Sequence, residues 1–113
     1  MNQIAGLLRR AILSHLADIV IDKGLGAPEL YNVYVKENAD NIIIKIEGSI
    51  SEFGIHNPLR RYIVDRIGFD EWNANISQVF DRLLKDAGIK IDYLLTTKID
   101  PVNFEVILKI TES

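Results

Sequence analysis

The chain has 113 residues, a formal net charge of −3 and 48% apolar residues, the composition of one ordinary globular domain. It contains no cysteine, which excludes disulfides, thiolate zinc sites and cysteine nucleophiles. The slightly acidic balance has no long run of one sign, and this disfavours nucleic acid, whose binding depends on a basic field.

Residues 2–22, NQIAGLLRRAILSHLADIVID, predict a helix. Ile4, Leu8, Ala11, Ile12, His15, Leu16 and Ile19 recur at three- and four-residue steps and form one stripe. Leu7, Leu13, Ala17, Val20 and Ile21 widen the apolar arc beyond what a one-sided surface helix needs. Either the fold covers this helix on two sides, or its second face meets another chain. Leu13, Ala17 and Ile21 are the candidate oligomer interface. Arg9, Arg10, Asp18 and Asp22 argue against a secretory signal or a membrane span, so a cytoplasmic protein with no membrane partner is expected. Gly24, Gly26 and Pro28 mark the helix end.

Two strands follow. YNVYVK (31–36) alternates Tyr31, Val33 and Val35 against Asn32, Tyr34 and Lys36. NIIIKIEG (41–48) alternates Ile42, Ile44 and Ile46 against Ile43, Lys45 and Glu47. The polar stretch Glu37–Asp40 closes a hairpin.

The stretch EFGIHNPLRRYIVDRIG (52–68) holds the second histidine, two adjacent arginines, a proline and an acid. Asn57 and Pro58 predict a helix start, Leu59, Tyr62, Ile63 and Ile67 its core face, and Gly68 its end. Arg61 and Asp65 are spaced for a weak surface pair. A helix start also suits an anion, so His56, Arg60 and Arg61 form the candidate site for a phosphate or an acidic partner. Asp70 then caps a helix over 71–87, with the stripe Trp72, Ile76, Val79, Phe80, Leu83, Leu84 and Ala87, and Gly88 ends it. The strands IKIDYLLTTK (89–98) and VNFEVILKIT (102–111) make a second hairpin across the turn at Asp100-Pro101.

The order α-β-β-α-α-β-β predicts a single α+β domain over residues 1–113, a four-stranded antiparallel sheet made of two hairpins, with helices mainly on one face. Whether the hairpins join in one sheet is not legible in the pattern.

Chemistry is poorly represented. His15 sits in an apolar stripe near Asp18 and Asp22, but one imidazole makes a poor metal site, and a satisfied core or interface histidine is expected. The glycines of GLGAPEL (24–30) follow a helix, whereas phosphate loops follow a strand. No Gly-X-Ser-X-Gly elbow accompanies either histidine. The NIS sequence at 75–77 lies within a predicted helix. Trp72 reads as core. No catalytic residue, metal or cofactor is expected.

What stands out is surface: an over-apolar first helix, and Ile43, Leu94 and Ile107 on nominally outer strand positions. That pattern suits a subunit of an assembly. The opening IAGLLRRAILSHL and the closing NFEVILKIT, with the order of elements, loosely resemble the small tail-terminator and neck proteins of tailed bacteriophages, which form rings. The resemblance is architectural, and the consecutive helices over 58–87 depart from it. It implies a homo-oligomeric structural subunit and a virion component. Two alternatives are an inhibitor or immunity-type protein that binds a basic partner, and a small phosphate-handling enzyme using His56, Arg60 and Arg61.

Overall fold

Two hairpins join through their inner strands in the computed structural model. Residues 2–25, 31–48, 57–101 and 103–112 are described. The first hairpin is β1 (Tyr31–Glu37) and β2 (Ile42–Gly48), and the second is β3 (Asp92–Ile99) and β4 (Phe104–Glu112). β2 pairs antiparallel with β4, which gives one sheet in the order β1-β2-β4-β3. The helices are α1 (Asn2–Asp22), α2 (Pro58–Arg61) and α3 (Phe69–Asp86), and α2 runs on as a π-helical segment (Tyr62–Ile67). The expected α+β fold and element order are those observed.

The strand pattern explains how the sheet is covered. Ile42 lies opposite Leu108 and Ile44 opposite Val106, and all four are buried on the helix side. The next row in register, Ile43 opposite Ile107, faces the other way and is half-buried. α1 packs on α3 and over β1, while α3 also covers β3. Leu8, Ile12, Leu59, Ile63, Trp72, Ile76, Phe80 and Phe104 fill the space between helices and sheet. Each such side chain contributes about 1.5–3 kcal/mol by leaving water. The exposed pair Lys45–Glu47, at 3.4 Å, belongs to a class worth about 0–1 kcal/mol, so burial holds the fold.

Burial also accounts for much of the breadth of apolar surface on α1. Leu7 and Val20, outside the main stripe, are buried within the same chain. Val35 is exposed although it continues the Val33 face, and it borders a shallow groove with Ala5 and Gly6 of α1. No helix among the described residues is long and apolar enough to cross a membrane.

Several boundaries differ from the sequence reading. Asp70 does not cap α3: Gly68 occupies the cap position with φ 85° and ψ 160°, and Asp70 and Glu71 fall in the first turn. That backbone conformation is essentially open to glycine alone, so the chain turns sharply out of the π segment and starts α3 at once. β3 starts at Asp92 rather than residue 89, since the Ile89 N–H is bonded to the Leu84 carbonyl at the α3 terminus, at 2.9 Å. With the Gly88 N–H on the Lys85 carbonyl at 3.0 Å, this is a Schellman closure. The Leu25 N–H on the Val20 carbonyl, at 2.9 Å, closes α1 in the same way beyond Gly24. Arg61 and Asp65 do not appear as an ion pair among the described residues.

Candidate functional site

The start of α2 is built as a cap. Asn57 is buried, and its Oδ1 accepts the N–H of Leu59 at 2.9 Å and of Arg60 at 3.1 Å. These are donors that an anion at this terminus would use, and Pro58 has none to offer. His56 lies outside the described residues. Arg60 is half-exposed. Arg61 is exposed and lines a groove of about 270 Å³ with Lys23, Tyr62, Asp65 and Arg66. The Arg66 guanidinium stands 5.4 Å from the centre of the Tyr62 ring. The structure therefore places Arg61 beside Lys23 and Arg66 across the α1–α2 junction.

A buried polar chain crosses the molecule from α1 to the sheet. The His15 ring lies 5.3 Å from that of Trp72, and Trp72 lies 5.8 Å from Phe104. Trp72 Nε1 donates to Thr97 Oγ1 at 3.1 Å, and Thr97 Oγ1 donates to Asn73 Oδ1 at 2.6 Å. His15 is 9% exposed, and its Nε2 is buried without a hydrogen-bond partner among the described residues. Burial pushes its pKa below the ordinary 6.5, and the Asp18 carboxylate acts weakly in the other direction. His15 is buried, as expected of a core histidine, but the satisfied hydrogen bonding expected of it is not seen, since Nε2 has no partner among the described residues. The described residues contain no group of three or more His, Cys, Asp or Glu suited to a metal.

Thr97 and Asn73 were not singled out by the sequence reading. A signal was present: Thr97 is the polar member of the column Ile91, Tyr93, Leu95 and Ile99, opposite a helix that carries the sole tryptophan. A buried indole N–H needs an acceptor, and a threonine in an apolar column can supply it.

The other arrangement lies at the far edge of the sheet. Tyr93 Oη donates to Asp81 Oδ1 at 2.5 Å, joining β3 to α3. Burial first, then the Asp81 carboxylate, pushes the Tyr93 pKa up to about 12, and a Ser77 hydrogen bond acts against them. Beside this contact is a groove of about 410 Å³, lined by Leu84, Lys85, Ile89, Ile91 and Asp92 among others.

The candidate interface residues have unequal exposure. Leu13 is half-buried against the core, Ala17 is exposed, and Ile21 is 70% exposed. On the outward face of the sheet, Leu94 is 58% exposed and Tyr34 is 52% exposed. The α1 row and the sheet face are thus separate surfaces, one on each side of the molecule.

Comparison of the chain with models of protein families, with curated proteins and with solved structures finds no match.

Proposed function

We propose that this chain is a non-enzymatic assembly module, a homo-oligomeric structural subunit. The observation that carries the reading is Leu94. It is 58% exposed on the outward face of β3, and β3 is a terminal strand of the sheet. An apolar side chain beside an open row of backbone donors and acceptors favours contact with another chain. Ile43 and Ile107 extend the apolar character across the same face. Ala17 and Ile21 on α1 offer a second contact surface on the opposite side. Two surfaces on opposite sides suit a subunit that touches more than one neighbour, and a ring-forming virion component is the finer reading, although the consecutive helical segments over 58–86 depart from that architecture.

Light scattering coupled to size-exclusion chromatography over a wide concentration range tests this function. The expected result is a mass that is a multiple of the chain mass. A mass equal to one chain at every concentration would overturn the reading.

A further inference from the structure

We propose that β3 pairs antiparallel with β3 of a second copy of this chain, about a two-fold axis at Leu95, so that two sheets become one. The proposal rests on the assembly reading above and names the surface and the partner.

The strand itself supplies the argument. Among the described residues β3 is paired only with β4, and no strand lies on its other edge. The register shift in this hairpin places the extra residue, Thr111, on β4, so the open edge of β3 stays regular. The sequence around β3 runs Lys90, Ile91, Asp92, Tyr93, Leu94, Leu95, Thr96, Thr97, Lys98, Ile99, Asp100. Read against itself in the antiparallel sense about Leu95, it is complementary in charge. Asp92 falls opposite Lys98 of the second copy, and Lys90 opposite Asp100. Ile91 falls opposite Ile99, and Leu94 opposite Thr96.

The pleat makes this register selective. Asp92, Leu94, Thr96 and Lys98 are exposed, and Ile91, Tyr93, Leu95 and Ile99 are half-buried on the helix side. Residues directly opposite in a ladder share a face, so only registers centred on a residue are allowed. A centre at Leu94 sets Lys90 against Lys98. A centre at Thr96 sets Asp92 against Asp100. Both bring like charges together at a strand end, through Lys90 or Asp100 just beyond β3, which disfavours the pair, whereas the centre at Leu95 sets Asp92 opposite Lys98 within the strand.

The far edge of the sheet differs. On β1, Arg9 Nε donates to the Val33 carbonyl at 3.2 Å, and self-pairing about Tyr34 sets Lys36 against Asn32. The groove between α3 and β3 adds a seat, because Ile99 of the second copy falls opposite Ile91 beside Leu84 and Ile89.

The test is a charge swap read by sedimentation velocity on the full chain. Asp92→Lys alone and Lys98→Asp alone are expected to weaken self-association about tenfold each. The double variant Asp92→Lys/Lys98→Asp restores the opposite charges and is expected to recover association. Leu95→Cys, in a chain without other cysteines, is expected to form a disulfide-linked dimer on mild oxidation. If the native chain associates but both single variants associate equally well, the β3 register is wrong while the assembly reading stands. The same holds if Leu95→Cys stays unlinked. A native chain that is monomeric throughout overturns both.

Discussion

Trp72 and Thr97 meet where α3 crosses β3, the indole Nε1 donating to the hydroxyl over 3.1 Å. The tryptophan is fully buried, and the threonine hydroxyl donates in turn to Asn73 Oδ1. Two residues 25 positions apart in sequence thus lock a helix to the edge strand by which we propose that copies of the chain meet.

Replacing Thr97 by Val keeps the shape and removes the hydroxyl. Trp72 Nε1 is then buried without an acceptor, a loss of about 1–3 kcal/mol. Thr97→Ser keeps the hydroxyl and should retain more of the stability than Thr97→Val does. Urea denaturation of the two variants checks the order.

His15 gives the fold an acid dependence. Its folded pKa lies below the ordinary 6.5, so the unfolded chain takes up the proton first as the pH falls. The stability contribution is therefore complete above 6.5 and is lost as the pH drops through and below that value. Asp18, one turn along α1, is the charge that opposes the shift. The neighbour facing it from α3 is the uncharged Trp72 ring. His15→Leu removes this proton uptake. A stability profile from pH about 8 to about 5 should be flatter for His15→Leu than for the native chain.

Tyr93 behaves in the opposite sense. Its pKa is raised to about 12, so the unfolded chain loses the phenol proton first and stability declines as the pH climbs through this range. In Asp81→Ala the carboxylate is gone and only burial raises the phenol. Spectroscopic titration of tyrosine should then show Tyr93 ionising at lower pH than in the native chain, though still above 10.

Two glycines separate space from backbone conformation. A Cβ at Gly6 meets no atom within 4 Å, and the residue lies inside α1. Gly6→Ala should stabilise the protein by about 0.5–1 kcal/mol through helix propensity. Gly68 is equally uncrowded, but its φ of 85° resists any side chain. Gly68→Ala should cost about 1–3 kcal/mol. Thermal unfolding of the two variants should move in opposite directions.

Much of this fold was legible because local patterns agree with tertiary burial. Of the predicted α3 stripe, Trp72, Ile76, Phe80 and Leu84 are buried, Val79 and Leu83 half-buried and Ala87 exposed beyond the helix end, while Ile42, Ile44 and Ile46 form the covered face of β2 as expected. The union of the hairpins was not legible, since the register of Ile42 with Leu108 depends on two segments far apart in the chain. Nor was the real cap of α3. Asp70 has the right chemistry for a cap, but the π segment ends at Ile67 and α3 begins at Phe69, so Gly68 alone stands between them and takes the cap position. For α1, composition showed surplus apolar surface without showing what covers each residue. Val20 proved buried and its neighbour Ile21 exposed, a difference fixed by α3 and the sheet rather than by α1 itself. At the α2 start, sequence spacing suggested an anion site from Arg60 and Arg61, but could not show that the Asn57 carboxamide already holds two of the helix N–H groups.

The most direct measurement is sedimentation equilibrium of the native chain at several concentrations near neutral pH. A homo-oligomeric subunit gives a mass that rises from one chain to a defined multiple as concentration increases. A single-chain mass at every concentration would contradict the assembly reading.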